Sequence, residues 1–382
     1  MTTDTDIEQQ IMATIDKWVD QELKPIAREF DQADKYPAEL VEQMKELGLF
    51  GATIAEQYGG LGLSSSTYAK IVSRICEVWM APSGIFNSHL IMASCVQRAG
   101  TEAQKEYFLP KFATGELRGG IGLTEPDAGS DLQAIRTVAR RNGNDYVLNG
   151  TKTWISNGIN GNCLAVLTKT NPDAEPRHTG MSLFLCEKGE GFTVGKKFKK
   201  LGYRSIDSAE LIFEDFVVSA DNLIGGVEGR GFQQVAGGLE LGRINIAARG
   251  AGMAKGATDM ALAYAMERKT FGKPIAEHQA IQLKLAEMST RAAAATLLVQ
   301  QAAKKYDLGE RCDLEAGQAK FFASESAVQN SLDAMRVFGG YSYSPEYEIE
   351  RFYRDAPLLC IGEGTNEIQR MIIAKQMVSR AR

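Results

Sequence analysis

The chain has 382 residues and a formal net charge of −5, with 44% apolar and 24% charged residues. This length allows two or three structural units around a sizeable core, and the composition is ordinary for a globular protein. The negative net charge gives no electrostatic attraction to nucleic acid or to an anionic membrane, so we expect neither as a partner. No apolar run of about eighteen residues occurs, and we expect no membrane span.

The cysteine and histidine content favours a reducing compartment and no metal site. The six cysteines are scattered without a Cys-x-x-Cys pair, which indicates reduced thiols. Only three histidines occur, and no His-Glu-x-x-His motif is present. The first six residues are polar and acidic, unlike a secretory signal or an arginine-rich transit peptide. We therefore expect a cytoplasmic protein.

The first third of the chain shows the apolar spacing of helices. Apolar residues recur at helical intervals over residues 7–18, and another helix is predicted over residues 37–48. Thr101 and Gln104 fit a capping box at the start of a further helix. His89 lies in an apolar stretch, and we interpret it as a core residue.

The pattern changes near residue 119 to short apolar segments without intervening helices. Residues 145–155 are predicted to form a β-hairpin with Asn149-Gly150 as its tight turn. Short strands at close intervals are typical of a small antiparallel barrel or sandwich. Further strands are predicted at residues 164–167, 181–185 and 209–213.

The last third is predicted to be a bundle of long helices. Residues 239–269 are alanine-rich and helical in pattern, a second helix follows Pro274, and a third spans residues 313–338 before Gly339. Along the second helix, apolar residues spaced alternately four and three apart form a packing stripe. Such a stripe is typical of a helix bundle.

Three loops carry groups that could bind a ligand. Hydroxyl groups and backbone donors on the loops at 123–131 and 155–158 can bond ring heteroatoms or phosphate oxygens. Trp154 offers a flat apolar surface for a planar ring. Cations and donors at residues 268–279, between two helices, can hold a pyrophosphate. Taken singly, each of the loops at 123–131 and 155–158 is most often just a turn.

The strongest candidate for acid–base chemistry is Glu363. Gly362 and Gly364 flank it, so the backbone can turn sharply and nothing bulky covers the carboxylate. The preceding segment is apolar, and a carboxylate leaving such a segment is desolvated, which raises its pKa and makes it a better base near neutral pH. Thr365 or Asn366 can cap the following helix. The alternative interpretation is an incidental acid in a loop that leads into a helix.

Six motifs follow one another along the chain. They are Thr124-Glu125-Pro126 with Gly129-Ser130-Asp131, Trp154-Ile155-Ser156-Asn157-Gly158, Arg268-Lys269-Thr270-Phe271-Gly272, Phe338-Gly339-Gly340, Tyr353-Arg354-Asp355 and Glu363-Gly364-Thr365. In order and spacing they resemble the acyl-CoA dehydrogenase family of flavoproteins, over essentially the whole chain. The resemblance implies a mostly α fold with a central β domain: an N-terminal helical domain (1–118), a middle β-barrel (119–228) and a C-terminal four-helix bundle (229–382).

The resemblance also implies a reaction and a cofactor. Glu363 would remove the α-proton of an acyl-CoA thioester while the β-hydrogen leaves as hydride to flavin N5, giving a trans-2-enoyl-CoA. No Rossmann or Walker A pattern occurs, so FAD would be held by scattered loops. The resemblance implies cofactor contacts from Leu123, Thr124, Gly129, Ser130, Trp154, Ser156, Arg268, Thr270, Phe271, Gln279, Arg336, Gly339, Gly340, Thr365 and Glu367. It implies substrate contacts from Ser130, Glu240, Arg243 and Gly364.

Partners follow from the same resemblance. Arg268, Phe271, Gln279 and the turn at 336–340 would reach FAD across a subunit interface, which implies a homodimer or a dimer of dimers. Electrons would pass to an electron-transferring flavoprotein. The alternatives are an acyl-CoA oxidase that uses oxygen, a flavin monooxygenase, or a non-catalytic acyl-CoA-binding or scaffold protein; monooxygenase relatives usually lack the glutamate.

Three positions depart from the family pattern. Many members carry tyrosine before the catalytic glutamate, and Gly362 stands there in this chain. We hypothesise that the missing ring leaves space for α-substituted or bulky acyl groups. Arg336 replaces a common glutamine and adds a charge near the implied pyrophosphate. Some relatives place the acid on the helix near Arg243, where this chain has Gly242, so Glu363 is the candidate that aligns.

Overall fold

The computed structural model describes residues 4–381, so Met1–Thr3 of the polar N-terminal stretch lie outside the described residues. The N-terminal region is helical, as predicted, and a π-helical turn at Val19–Leu23 joins its first two α-helices. The α-helices are α1 (Asp4–Trp18), α2 (Lys24–Ala33), α3 (Ala38–Glu46), α4 (Ser65–Cys76), α5 (Met80–Ala99) and α6 (Glu102–Ala113).

Two predictions about this region are confirmed. The Thr101 hydroxyl accepts the Gln104 backbone N–H at 3.2 Å, and the Gln104 side chain accepts the Thr101 N–H at 3.0 Å, which completes the capping box of α6. His89 is buried on α5, and its Nε2 lies 3.0 Å from the Phe112 carbonyl oxygen. Burial lowers the pKa of His89 to about 4, so the ring is neutral in the core.

The middle region is one curled sheet of seven strands, counted within the part of the chain that the structure describes. Most neighbouring strands pair antiparallel, as predicted. However, β4 runs parallel to β1 and meets the start of β2 in parallel register. The strands are β1 (Gly119–Gly122), β2 (Val138–Asn142), β3 (Asp145–Ser156), β4 (Cys163–Lys169), β5 (Met181–Glu187), β6 (Phe192–Lys197) and β7 (Ser208–Ser219).

The predicted hairpin turn at Asn149-Gly150 is wrong. Strand β3 runs through both residues, and the tight turn lies earlier, between Asn142 and Asp145. In that turn Gly143 has φ 64°, the left-handed conformation that two-residue hairpins require. Asn149-Gly150 instead marks a register shift in the pairing of β3 with β7. The dipeptide supplies the freedom for a bulge as well as for a turn, and the neighbouring strand decides between them.

The C-terminal region is a helical bundle, and the predicted long helices are confirmed. The stripe on α8 is buried at Met288, Ala292, Ala295, Val299 and Ala302. A two-stranded ribbon, β8 (Lys269–Thr270) with β9 (Lys273–Pro274), connects α7 to α8. The helices are α7 (Gly231–Glu267), α8 (Gln279–Asp307), α9 (Asp313–Phe338), α10 (Ile349–Ile361) and α11 (Asn366–Arg380).

Within residues 4–381, no helix combines the length and apolar character needed to cross a membrane. Over the same residues, no cluster of three His, Cys, Asp or Glu side chains is arranged to hold a metal ion. All six cysteines are free thiols, and Cys360 is the partly exposed one.

Glycines on α7 bring the N-terminal and C-terminal regions into backbone contact. A Cβ added at Gly252 would lie 2.1 Å from the Ser73 carbonyl oxygen on α4, and one at Gly256 would lie 2.3 Å from the Glu77 carbonyl oxygen. Only residues without a side chain allow this approach, because a backbone cannot move aside as a flexible side chain can. The contact fixes α7 against α4.

We therefore expect Gly252→Ala to destabilise the fold by about 1–3 kcal/mol, because the added methyl group forces α7 away from α4. Denaturant unfolding measures the change. Gly237→Ala is the matched control on the same helix, since its Cβ would meet the Arg98 side chain no closer than 3.4 Å. That control should gain up to about 1 kcal/mol from helix propensity. Equal effects of the two substitutions would contradict the prediction.

Candidate functional site

Glu363 occupies the turn between α10 and α11. Its backbone has φ 55° and that of Gly364 has φ 86°, so two successive residues adopt the left-handed conformation. Thr365 is the N-cap of α11, as predicted, and its hydroxyl accepts the backbone N–H of Ile368 at 3.4 Å. A non-glycine residue in this conformation stores strain, which persists only where surrounding contacts hold it.

Buried polar side chains hold this turn from behind. The Gln369 amide donates to the carbonyl oxygens of Glu363 and Gly364, both at 3.3 Å. Lys320 donates to the Cys360 carbonyl at 3.3 Å and to the Asn366 side chain at 2.8 Å. The sequence analysis missed Gln369 and Lys320, because nothing local distinguishes them from other helical residues.

The Glu363 carboxylate packs between α7 and α5. Its Oε2 lies 3.1 Å from the position of a Cβ added at Gly242, and Ile91 of α5 approaches the same position equally closely. Burial raises the pKa of Glu363, and the positive charges of Arg249, Arg243 and Lys320 act in the opposite direction. The raised pKa agrees with the predicted desolvation of this carboxyl group, although the residue as a whole is only partly buried.

The two polar loops of the middle region lie side by side. The backbone N–H of Thr153 donates to the Thr124 carbonyl at 2.8 Å. Beneath them, the buried Lys152 ammonium lies 2.7 Å from Glu125 and donates to the Leu123 carbonyl at 3.2 Å. Burial lowers the pKa of Lys152 to about 8, although the Glu125 charge opposes this shift. The structure thus brings Leu123 and Thr124 beside Trp154.

Trp154 presents a ring face to solvent. Its backbone is left-handed, with φ 61°, at a register shift in β3, and 55% of the residue is exposed. The indole stacks on Phe198 with ring centroids 4.2 Å apart. Ser156 is the last residue of β3, and the turn that follows is anchored by the Asn157 side chain, which donates to the Ile85 carbonyl of α5 at 2.8 Å.

Helix α5 connects the loops to Glu363. The Ile85 carbonyl accepts the hydrogen bond from Asn157, and Ile91 packs where the Glu363 carboxylate meets α7. These two residues are six apart, which is about 9 Å along a helix axis. The loops and the carboxylate therefore border one short stretch of α5.

A second group of predicted residues lines a cavity of about 630 Å³ at one end of the bundle: Arg268, Thr270, Gly339 and Gly340. Phe338, from the predicted turn at 336–340, supplies an aromatic wall together with Tyr264 and Tyr341, which were not predicted. Phe271 projects beside this cavity with 97% of its surface exposed, and Gln279 and Arg336 lie on exposed helix ends nearby. Neither Trp154 nor the loops at 123–131 and 155–158 contribute a lining residue to this cavity.

The predicted substrate contacts on α7 lie beside the start of α9. Arg243 approaches Asp313 at 3.7 Å, and its buried Nε has no hydrogen-bond partner among the described residues. Burial raises the pKa of Glu240, and the nearby Asp313 adds to this shift. Arg243 therefore retains a donor that an anionic ligand could satisfy.

The remaining predicted residues lie at the surface. Gly129 and Ser130 are exposed on the loop at 123–131, which is distant in sequence from the predicted substrate contacts on α7. Gly364 and Glu367 are exposed at the start of α11, and Thr365 is partly buried as its cap. Their positions leave them accessible to a ligand that bridges the loops and the Glu363 turn.

Family models match nearly the whole chain. The N-terminal domain model of acyl-CoA dehydrogenases matches residues 5–116, the middle domain model matches residues 120–216, and the C-terminal domain model matches residues 229–378.

Individual relatives agree with these matches. An acyl-CoA dehydrogenase from Bacillus subtilis is 42% identical over 359 residues, covering 94% of each chain. The structure of butyryl-CoA dehydrogenase from Megasphaera elsdenii matches with a TM-score of 0.94 and 36% identity, covering 98% of this chain and 99% of that one. A chain from a structural study of the electron-transferring flavoprotein of Acidaminococcus fermentans matches with a TM-score of 0.95 and 36% identity, covering 99% of each. The chain belongs to the acyl-CoA dehydrogenase family of FAD-dependent oxidoreductases.

Proposed function

We propose that this chain oxidises an acyl-CoA thioester to a trans-2-enoyl-CoA, with Glu363 as the base that removes the α-proton. The observation that carries the proposal is the Glu363 carboxylate, which lies on a left-handed turn against Gly242 of α7 and beside Ile91 of α5, with burial raising its pKa. A carboxylate with a raised pKa is a better proton acceptor at neutral pH. FAD, when bound, supplies the acceptor for the hydride.

The chemistry of the exposed donors fits FAD. Trp154 offers an exposed ring face, and Leu123, Thr124 and Ser156 place backbone and hydroxyl groups around it. We assign the flavin ring to this place. Gly129 and Ser130 continue the same loop toward the surface and would face the remainder of the cofactor.

The second group of cofactor residues supports a site shared between subunits. The cavity lined by Arg268, Thr270, Gly339 and Gly340 offers a cation and flexible backbone for a pyrophosphate, and Trp154 is not among its lining residues. Fully exposed Phe271, with Gln279 and Arg336, would meet the FAD of a second copy, and Thr365 and Glu367 would lie near its adenosine end. We infer a homodimer or a dimer of dimers.

The chain's own groups account for the placement of the substrate. The unsatisfied Nε of Arg243 is suited to the CoA arm, with Glu240, Ser130 and Gly364 along its path. The backbone N–H of Glu363 would donate to the thioester oxygen, which stabilises negative charge as the α-proton leaves. The hydrogen bonds from Gln369 to the Glu363 and Gly364 carbonyl oxygens hold the backbone of the turn that carries this N–H.

Further features of the proposal concern the acceptor and organisation. We infer that an electron-transferring flavoprotein takes the electrons, which accords with the similarity to the Acidaminococcus chain. Release of peroxide in air, in the absence of an electron-transferring flavoprotein, would instead identify an acyl-CoA oxidase. A colourless protein that takes up no FAD would indicate a binding or scaffold role.

We place domain boundaries near residues 118 and 228, and the six free thiols fit a reducing cytoplasm.

The test of the base is Glu363→Gln. The amide cannot accept the proton, so flavin bleaching by acyl-CoA should slow by about 10²–10⁴-fold while FAD is retained. Stopped-flow absorbance of the FAD-loaded enzyme measures the rate. Glu346→Gln, an exposed glutamate, is the control and should bleach at the wild-type rate. If the Glu363→Gln variant bleached the flavin at the wild-type rate, the base would be another residue.

A second prediction concerns the space at Gly362. A Cβ there would contact only the Leu358 carbonyl oxygen, at 3.5 Å, so the position can accept a side chain. Gly362→Tyr should lower kcat/KM for 2-methylacyl-CoA relative to the straight-chain thioester by about tenfold, because the ring fills the space beside the α-carbon. An unchanged ratio would show that Gly362 does not set this preference.

A third prediction follows from the ionisation of Glu363. Because burial raises its pKa in the folded state, the ionised group opposes folding above its unfolded pKa, and the penalty grows as pH rises through the folded pKa. Glu363→Gln removes this penalty. Thermal unfolding of FAD-loaded proteins should show a higher Tm for the variant at pH 8 and a smaller difference at pH 4.5. A Tm advantage confined to low pH would refute this assignment of the pKa direction.

A further inference from the structure

A buried cation without a carboxylate partner lies behind Glu363. Arg249 of α7 is 3% exposed. Its Nε donates to the Asn245 side chain at 2.7 Å, one terminal nitrogen donates to the Tyr203 hydroxyl at 3.0 Å, and the other donates to the Ser83 carbonyl at 3.4 Å. All three acceptors are neutral. Among residues 4–381, no carboxylate oxygen lies within 4.0 Å of this guanidinium.

The position of Arg249 relates it to the proposed reaction site. Gly242, Asn245 and Arg249 are three and seven residues apart, so they share one face of α7. Gly242 packs against the Glu363 carboxylate, and Arg249 follows about 10 Å further along the helix axis. The charge of Arg249 reaches Glu363 strongly enough to oppose the rise in its pKa, although the two groups are not hydrogen-bonded.

Tyr203 belongs to the sheet region and contacts Arg249 of the helical bundle. It lies between β6 and β7 with φ 53°, and its backbone N–H donates to the buried Asp355 at 2.5 Å. Its ring enters against α5 at Gly84, where an added Cβ would lie 1.4 Å from the hydroxyl oxygen. The absence of a side chain at Gly84 therefore makes room for the hydroxyl group.

The chemistry of this cluster matches an anion. A guanidinium has five N–H donors in a planar fork that fits a carboxylate, and the three bonds above leave two N–H groups for a ligand. Burying a cation is unfavourable unless a negative charge compensates it. No carboxylate among the described residues compensates Arg249 by direct contact, and a negative charge carried by the acyl group itself would do so.

We propose that Arg249 and Tyr203 bind a carboxylate at the far end of the acyl group, so that the preferred substrate is a CoA thioester of a dicarboxylic acid. This inference rests on the proposed function, since it places the thioester at Glu363. The separation of about 10 Å between Gly242 and Arg249 along α7, less the reach of the arginine side chain, corresponds to a short diacid.

The experiment compares matched substrates on the FAD-loaded full chain. Acyl-CoA thioesters of four to eight carbons, ending in either a carboxylate or a methyl group, are assayed for kcat/KM with an artificial electron acceptor. We expect wild-type enzyme to prefer the carboxylate-terminated member of at least one pair by more than tenfold. No variant is needed for this comparison, so it does not depend on whether a substitution disturbs folding.

Variants then assign the preference to residues. Arg249→Gln should abolish the preference mainly through KM for the carboxylate series, Arg249→Lys should restore part of it, and Tyr203→Phe should reduce it several-fold. Arg243→Gln is the matched control, because the proposed CoA arm is common to both series and both should weaken equally. FAD content and Tm of each variant are measured in parallel.

The outcomes that would overturn the inference are distinct. Equal turnover of both series by wild-type enzyme would overturn the carboxylate site and leave the dehydrogenase intact. Equal loss of both series in Arg249→Gln, with a shifted pH profile, would make Arg249 a positioning residue for Glu363 and would also overturn it. Failure of every thioester to bleach the flavin would overturn the proposed function, and this inference with it.

Discussion

The contact between the Glu363 carboxylate and the bare backbone of α7 constrains the rest of the site. A carboxylate can approach a helix this closely only where the helix has no side chain, and Gly242 provides that position. The contact removes water from one side of the acid, and the turn that carries it is strained. Buried hydrogen bonds from Gln369 and Lys320 therefore belong to the site as much as the acid does.

The pKa of Glu363 reflects two opposing effects: burial raises it, and positive charges that do not contact the carboxylate lower it. Arg249, Arg243 and Lys320 all act on Glu363, yet none forms an ion pair with it among the described residues. A direct ion pair would stabilise the ionised form of Glu363, lower its pKa and make the carboxylate a weaker base. Cations held at a distance keep the carboxylate ionisable and leave its oxygens free. The Lys152–Glu125 pair differs, because its contact of 2.7 Å joins β3 directly to the loop at 123–131.

Much of the fold could be predicted from local signals. The bounds of α9, the capping box of α6 and the stripe on α8 depend on spacing and cap residues within one segment, and all are confirmed. Asn149-Gly150 was misassigned because its conformation depends on pairing with β7, which local sequence does not specify. The Glu363 turn was recognised from its glycines. Tyr203 and Arg249 were not, because residues 46 apart form their contact and neither has a distinctive neighbourhood.

The position of Tyr203 between several regions has a consequence for how the protein unfolds. The tyrosine belongs to the sheet region, yet its hydroxyl rests against α5 and α7, and its backbone is tied to α10 through Asp355. Arg354, next to Asp355, is in turn paired with Asp31 of α2 at 2.5 Å. Withdrawal of any one region would break this chain of contacts. Amide protons on α2, α7 and α10 should therefore exchange with solvent in a single concerted opening.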